Sequence, residues 1–209
     1  TNAVLKMSRE MQDLDIFQPL VAPWYDSLKN PGDTQDRVLS ELVDGYGKTR
    51  YGKDHNASDV EDVRGFRSSF PVVDYQALDP YLAEVRKGNY SAILHEPLVC
   101  WVMTRGSTGH AKVLPATRRH LEQILTCGAR AIINHAIRKK DFDLLDSRIL
   151  NLNFPSTVHT TTMDGRTVTY GYSSGTYARL NPMLNQISLI PRQEDIDKLG
   201  SGITKSDWK

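Results

Sequence analysis

Residues 104–112 hold the residue types and spacing in this chain that are best suited to chemistry. They read Thr-Arg-Gly-Ser-Thr-Gly-His-Ala-Lys, so two glycines stand three apart among hydroxyl side chains, and a lysine closes the stretch. Glycine permits positive φ and close backbone approach, which lets successive N–H groups point into one concavity. Hydroxyl donors and the mobile ammonium of Lys112 would add to the same curve. The pattern predicts a loop that binds a chain of phosphates.

The segments on either side of this loop indicate how it is held. Leu98–Met103 is an unbroken apolar run, rich in β-branched and aromatic residues, which predicts a strand buried on both faces. After Lys112, residues 113–115 favour a short second strand over a helix, because Pro115 interrupts a helical start. A Walker A loop needs Gly-Lys-Ser/Thr leading into a helix, whereas here Ala111 precedes Lys112 and Val113 follows it. A P-loop kinase or NTPase, which would release ADP, is therefore disfavoured.

The order Thr-x-Gly-Ser-Thr-Gly-x-x-Lys resembles the phosphate loop of adenylate-forming enzymes. Within that superfamily the chain is most similar to the auxin-responsive acyl-acid amido synthetases. Further likeness comes from residues 51–55 (Tyr-Gly-Lys-Asp-His), residues 70–82 (Phe-Pro-Val-Val-Asp-Tyr-Gln-Ala-Leu-Asp-Pro-Tyr-Leu) and residues 114–117 (Leu-Pro-Ala-Thr). The resemblance covers residues 38–121, with a weaker likeness up to Pro191. At Arg105 the chain departs from the small serine or glycine usual in this family, and this arginine would either add a phosphate donor or crowd the site.

The resemblance implies an α/β fold class, with a mixed sheet, packed helices and a strand–loop–strand phosphate loop. Residues 1–209 would form the N-terminal portion of an adenylating domain, mainly helical over residues 1–95, with the sheet, phosphate loop, long helix and hairpin in residues 96–209. The second nucleotide motif and the C-terminal domain of the family lie beyond this sequence. The isolated chain is therefore expected to be inactive, because closure of a second domain normally supplies the remaining groups.

The implied function is ATP-dependent activation of a small carboxylic acid as an acyl-adenylate, followed by transfer to an amine. ATP and Mg²⁺ are the implied cofactors, and Lys112 is the implied catalytic residue. The predicted phosphate-binding residues are Thr104, Arg105, Gly106, Ser107, Thr108, Gly109 and Lys112. An acyl-CoA ligase with a thiol acceptor, and a nucleotide-binding or non-catalytic domain, remain as alternatives.

Composition narrows the classes of partner. The 26 basic and 25 acidic residues leave a net charge of +1, so neither nucleic acid nor an anionic membrane is predicted as a partner. Apolar runs are too short for a membrane span, and the start of the sequence lacks a signal-peptide pattern. Cys100 and Cys127 sit in apolar patterns, which predicts reduced core residues and a cytoplasmic location. The sequence leaves the oligomeric state unknown.

The histidines do not predict a metal site. The six are dispersed, and no pair has the spacing of a transition-metal site. Asp54 and His55 are interpreted as a turn and capping element rather than a catalytic dyad. His110, inside the phosphate loop, is interpreted as a solvent-facing residue.

The chain before the loop is predicted to be mainly helical. A helix over residues 3–13 is expected to give way to an extended path at Pro19 and Pro23, because proline disrupts a helix interior. After a turn, Asp33 or Thr34 would cap a second helix. Its apolar face would comprise Val38, Leu39, Leu42, Val43 and Tyr46.

A third helix is predicted between Asp74, as its cap, and Gly88, which would end it. Leu78, Leu82 and Val85 would face the core from this helix. Residues 92–94 are expected to begin the sheet.

Beyond the loop, Thr117 is predicted to cap a helix that runs to Lys140. Apolar residues recur at helical spacing for almost five turns, namely Leu121, Ile124, Leu125, Gly128, Ala129, Ile132, Ile133, Ala136 and Ile137. The small Gly128 and Ala129 would let another backbone, that of the sheet, approach closely. This helix would suit one wall of an acyl pocket.

Asp164-Gly165 predicts a hairpin turn between strands in residues 156–162 and 167–172. Residues 171–175 then match the G-x-S-x-G nucleophile elbow of hydrolases, which needs a helix directly afterwards and a histidine later in the chain. The proline at position 182 leaves little room for a helix, and the last histidine is at position 159. We therefore interpret the motif as a serine-rich turn.

Overall fold

The computed structural model describes residues 2–104, 112–145, 148–181 and 189–200, with the backbone alone for residues 2–13. Its α-helices are α1 (Asn2–Lys29), α2 (Pro31–Gly47), α3 (Arg50–Asp54), α4 (Val63–Ser69), α5 (Asp79–Arg86), α6 (Arg118–Lys139), α7 (Ser173–Leu180) and α8 (Gln193–Leu199). Short 3₁₀ turns lie at Ala57–Asp59, Gln76–Leu78 and Tyr90–Ala92. The strands are β1 (Leu98–Met103), β2 (Val113–Thr117), β3 (Ile149–Leu150), β4 (His159–Met163), β5 (Arg166–Tyr172) and β6 (Leu189–Ile190).

The main sheet is mixed, with the strand order β2-β1-β5-β4. β1 pairs antiparallel with β2 and parallel with β5, and β4 pairs antiparallel with β5. β3 and β6 form a separate parallel pair. The described elements therefore confirm the mixed α/β fold expected from the sequence.

β1 lies inside this sheet with both faces covered. Trp101 points into a cluster with Leu82 and Val85 of α5. On the opposite face, Cys100 and Val102 pack with residues of β2, α6 and α7. Since successive side chains of a strand point to opposite faces, the buried run from Cys100 to Val102 confirms the predicted two-sided burial.

β2 is, with β4, one of the two edge strands of the main sheet among the described residues. Its Pro115 lies opposite Trp101. Proline has no N–H to donate to a neighbouring strand, so within sheets it is tolerated on edge strands. Pro115 therefore shortens neither the strand nor its pairing with β1.

The first helix differs from the prediction, because α1 runs through both Pro19 and Pro23 to Lys29. A proline costs one helical hydrogen bond, but this helix gains tertiary contacts beside the prolines. Val21 is buried, and the Phe17 ring stacks on Phe142 with centroids 6.3 Å apart. Packing along α6, which no local pattern reveals, offsets the helix-breaking tendency.

The second helix begins earlier than predicted, with Asn30 as the N-cap residue and Pro31 in the first turn. The expected caps Asp33 and Thr34 are therefore wrong, because proline at the first helical position loses no intrahelical hydrogen bond. The predicted apolar face is only partly buried. Val43 is buried, and Leu39 and Tyr46 pack beside it, whereas Val38 and Leu42 are exposed.

Asp74 does act as a cap, since its carboxylate accepts a hydrogen bond from the Ala77 amide at 3.0 Å. The capped element is the 3₁₀ turn that leads directly into α5, whose Leu82 and Val85 are buried. Gly88, with φ of 100°, follows the helix as predicted. Residues 92–94 do not start the sheet, because local bonds such as Leu94 N to Tyr90 O at 2.8 Å keep this segment in a turn.

α6 begins as predicted, with the Thr117 hydroxyl accepting from the His120 amide at 3.2 Å. Leu121, Ile133 and Ala136 are buried. The expected close approach at Gly128 is wrong, because a Cβ added there would meet nothing within 4 Å. Cys127 is exposed rather than in the core.

The β4–β5 hairpin confirms the predicted turn at Asp164 and Gly165. Both residues have positive φ, 48° and 72°, which is the pattern of a type I′ turn. The hairpin is shorter on its first strand than expected, because β4 begins at His159.

Candidate phosphate-binding site

The structure describes the two ends of the predicted phosphate loop. Thr104 directly follows β1, and Lys112 directly precedes β2. The predicted ligands Arg105, Gly106, Ser107, Thr108 and Gly109 lie outside the described residues, as does His110. Their roles stay predictions.

The loop ends are joined by two hydrogen bonds. The Thr104 amide donates to the Lys112 carbonyl at 2.9 Å, and the Lys112 amide donates to the Thr104 hydroxyl at 3.0 Å. The pair continues the antiparallel ladder of β1 and β2 by one step. The loop therefore joins two paired strands, as predicted, and does not lead into a helix as a Walker A loop does.

Thr104 has a structural role, in addition to its predicted phosphate contact, that the sequence did not reveal. Its hydroxyl oxygen takes the place of a backbone carbonyl as acceptor for the Lys112 amide. A hydroxyl has one proton and two lone pairs, so the proton of Thr104 remains available to donate. Thr104 can therefore close the loop and contact a phosphate at the same time.

Lys112 combines an anchored backbone with a free side chain. Its side chain is exposed, and its ammonium makes no ion pair within the described parts of the chain. The next residue, Val113, packs against the core cluster around Trp101. A fixed backbone carrying an unpaired positive charge is a suitable geometry for holding an anion.

Tyr75, which sequence reasoning did not select, contacts the exit of the loop. Its hydroxyl donates to the Val113 carbonyl at 2.9 Å and accepts from the Val113 amide at 3.2 Å. The available signal was its place inside residues 70–82, one of the segments that carry the family resemblance. No spacing rule joins this tyrosine to a strand 38 residues later.

The other upstream segment, residues 51–55, packs against residues 70–82 through aromatic rings. Tyr51 lies 5.9 Å from Phe70 and 5.1 Å from Tyr81, centroid to centroid. Burial raises the pKa of both Tyr51 and Tyr81. These hydroxyls therefore stay protonated at neutral pH, and the cluster serves packing.

Asp54 and His55 are structural, as interpreted from the sequence. His55 is the C-cap residue of α3, and the Asp54 carboxylate accepts from the Tyr81 hydroxyl at 2.8 Å. Gly52, in the same segment, is required sterically, because a Cβ there would lie 2.0 Å from the Tyr46 carbonyl oxygen. The segment packs against residues 70–82 and carries no dyad.

The G-x-S-x-G segment is followed by a helix, which corrects the sequence-based expectation, since α7 begins at Ser173. Its glycines nevertheless have a packing reason. A Cβ at Gly171 would lie 1.8 Å from the Ser156 carbonyl oxygen, and one at Gly175 would lie 1.9 Å from the Phe154 carbonyl oxygen. Within the described residues, no histidine hydrogen-bonds to Ser173. The motif is therefore a site of close backbone packing.

Other reactive groups near the sheet are inert or unclustered. Burial raises the pKa of the Cys100 thiol to about 11, so it remains protonated at neutral pH. In residues 2–104, 112–145, 148–181 and 189–200, no three His, Cys, Asp or Glu side chains are grouped so that they could hold a metal. None of the helices described there is long and apolar enough to cross a membrane.

The sequence of this chain matches a family model and is similar to known proteins. The family model described as the GH3 family N-terminal domain matches residues 23–197. The chain is 31% identical over 97 residues to the indole-3-acetic acid-amido synthetase GH3.2 of Arabidopsis thaliana, covering 46% of this chain and 18% of that protein. It is 22% identical over 130 residues to the jasmonoyl–L-amino acid synthetase JAR4 of Nicotiana attenuata, covering 61% and 22%.

The fold is shared with a solved structure, the AtGH3.15 acyl acid amido synthetase in complex with 2,4-DB. The TM-score is 0.60 at 18% identity, and the match covers 86% of this chain and 29% of that chain. This chain therefore spans less than a third of the length of the relatives that it matches.

Proposed function

Because this chain belongs to the GH3 family, whose N-terminal domain matches residues 23–197, we propose that its protein joins a carboxylic acid to an amine at the expense of ATP. The observation that carries the proposal is the loop closure between Thr104 and Lys112, which leaves the Lys112 ammonium free. The first named relative is an amido synthetase of indole-3-acetic acid, and the second is a synthetase of jasmonoyl–L-amino acid, according to their names. An amino group is therefore preferred over a thiol as the acceptor.

The proposed reaction has two steps. A carboxylate oxygen of the acid attacks the α-phosphorus of ATP, the bond to the β-phosphate oxygen breaks, and pyrophosphate leaves. The amine then attacks the carbonyl carbon of the acyl-adenylate, AMP departs as the leaving group, and the amine loses a proton. The first step requires stabilisation of the negative charge that builds on the departing pyrophosphate.

In this proposal, Lys112 is the residue that stabilises that charge. Its ammonium would bind the outer phosphates, and the Thr104 hydroxyl proton would donate beside it. The amides of residues 106–109 and the hydroxyls of Ser107 and Thr108 are predicted to complete the cradle. Mg²⁺ would enter with the triphosphate, since the described residues contain no group of three His, Cys, Asp or Glu side chains that could hold a metal ion.

Residues 1–209 are proposed to act as the N-terminal portion of the adenylating domain. The share of the relatives that the chain covers supports this, because most of their length has no counterpart here. The free state of Cys100 and Cys127 supports a reducing, cytoplasmic location for the protein. If the 209 residues alone turned over acid, ATP and amine, the proposal that they form only a portion of the adenylating domain would be wrong.

The test is acid-dependent exchange of labelled pyrophosphate into ATP by the full-length protein. A panel of small carboxylic acids, including indole-3-acetic acid and jasmonic acid, supplies the acid. We expect exchange with at least one acid in the absence of amine, and AMP with pyrophosphate as products when amino acids are added. Release of ADP, or nucleotide binding without exchange for any acid, would contradict the proposed reaction.

A further inference from the structure

We propose that Tyr75 is a positioning residue for Lys112, acting through the peptide bond that joins Lys112 to Val113. The inference rests on the proposed function, because Lys112 matters here as the cation that binds the phosphates of ATP. Tyr75 makes no contact with the Lys112 side chain in this scheme. It controls the direction in which that side chain leaves the strand.

The strand register places the Val113 backbone groups on the open edge of the sheet. Thr104 and Lys112 form a hydrogen-bonded pair, while Met103 lies opposite Val113. In an antiparallel ladder the hydrogen-bonded and non-hydrogen-bonded pairs alternate. The N–H and C=O of Val113 therefore point away from β1, where no described strand lies.

The Tyr75 hydroxyl fills that edge as a neighbouring strand would. It donates to the Val113 carbonyl at 2.9 Å and accepts from the Val113 amide at 3.2 Å. One hydroxyl can do both because it carries a proton and two lone pairs. Both outward-facing groups of Val113 are thus paired.

The peptide group between Lys112 and Val113 is consequently held from both sides. Its oxygen, the Lys112 carbonyl, accepts from the Thr104 amide at 2.9 Å. Its N–H, the Val113 amide, donates to Tyr75. Because the Thr104 hydroxyl also holds the Lys112 amide, fixing this plane restricts ψ of Lys112 and, with it, the direction of the bond from Cα to Cβ. The lysine side chain stays free while its origin is clamped.

Tyr75 itself is held firmly enough to act as a clamp. Its ring packs against the core cluster of Leu82, Val85, Ala92, Trp101 and Val168. Its carbonyl accepts from the Leu78 amide at 3.1 Å, and the Asp74 cap orders the same turn. The hydroxyl therefore projects from the core to the edge of β2 at a set distance.

The test uses Tyr75→Phe in the full-length protein, which keeps the ring and removes both hydrogen bonds. Steady-state pyrophosphate exchange would give KM for ATP, KM for the acid and kcat. We expect KM for ATP to rise about fivefold to tenfold, the range set by losing a hydrogen bond. KM for the acid should stay within about twofold of the value for the unmodified protein.

Tyr81→Phe is the matched control. It removes a tyrosine hydroxyl of the same segment that donates to Asp54 at 2.8 Å and not to β2. Its KM for ATP should be unchanged. A purely structural role for Tyr75 would lower the melting temperature and the active fraction without a selective change in KM for ATP, and that outcome would overturn the inference.

A double-mutant cycle with Lys112→Ala decides whether Tyr75 acts through Lys112. In the Lys112→Ala background, Tyr75→Phe should have no further effect on KM for ATP, because coupled residues are not additive. Full additivity would overturn the inference. Hydrogen exchange of the Val113 amide should also be faster in Tyr75→Phe, and an unchanged rate would mean that the clamp does not exist in solution.

Failure of the inference can be told apart from failure of the proposed function. If the unmodified protein shows no acid-dependent exchange, the proposed function is wrong. If the unmodified protein exchanges and Tyr75→Phe has the same KM for ATP, only the role of Tyr75 is wrong.

Discussion

Replacement of Lys112 by alanine is the perturbation that tests the candidate site most directly. The change removes one positive charge and leaves both backbone hydrogen bonds to Thr104 in place. The lysine is exposed and makes no ion pair among the described residues. No carboxylate therefore loses its partner, and the free energy of unfolding should change by less than about 0.5 kcal/mol.

The effect on catalysis follows from Coulomb's law. Two unit charges about 4 Å apart attract by about 1 kcal/mol in water and by about 4 kcal/mol at the effective dielectric of a protein surface. Because Lys112 is exposed, the lower half of that range applies. A loss of about 2 kcal/mol corresponds to a drop of about 30-fold in kcat/KM for ATP.

The assay is acid-dependent pyrophosphate exchange at varied ATP, with denaturant unfolding measured on the same preparations. Lys112→Arg retains the charge and should recover part of the activity. Lys198→Ala is the charge-matched control, since Lys198 is an exposed lysine on α8, paired with Asp195 at 2.9 Å. Exchange by Lys112→Ala within twofold of the unmodified protein, with the fold intact, would refute the phosphate-binding role.

Three further predictions concern the packing and chemistry of the scaffold. Gly171→Ala should reduce the free energy of unfolding by at least about 3 kcal/mol in denaturant titrations, because the new Cβ would lie 1.8 Å from a carbonyl oxygen. Gly128→Ala, where a Cβ meets nothing within 4 Å, should instead stabilise the protein by about 1 kcal/mol through helix propensity. In the native protein, a thiol reagent at pH 8 should modify Cys127, which is exposed, and spare Cys100, whose pKa burial raises to about 11. Rapid labelling of Cys100 at pH 8 would contradict its burial. Because the raised pKa favours the neutral thiol, the stability that buried Cys100 contributes should be lost as the pH rises toward that pKa.

Local features of the chain were predictable because local physics decides them. The Thr117 and Asp74 caps depend on a side-chain oxygen and an amide three residues later. The Asp164-Gly165 turn depends on residues that tolerate positive φ. The apolar run of β1 and the lysine that precedes β2 are likewise readable from neighbouring letters. For the two caps, the responsible contact lies three residues away.

Predictions failed where a distant element decided the outcome. α1 continues through Pro19 and Pro23 beside contacts with residues more than a hundred positions later, such as the pairing of Tyr25 with Asn134. The apolar stripe of α6 predicted a covered helix, yet Gly128 is open. Residues 90–94 are an exception, because there local hydrogen bonds, such as Leu94 N to Tyr90 O, form a turn where the apolar residues had suggested a strand.

The amino-acid sequence by itself determined the order strand, glycine-rich loop, lysine, strand, and thus the type of anion site that we propose for this chain. Only the tertiary structure decided that Tyr75 would reach Val113 across 38 positions and that the Thr104 hydroxyl would close the loop. The physical reason is that glycine, proline and capping preferences act over one turn of chain. Which hydroxyl meets which open strand edge depends on how the core packs, and that is settled by the burial of residues far apart in the sequence.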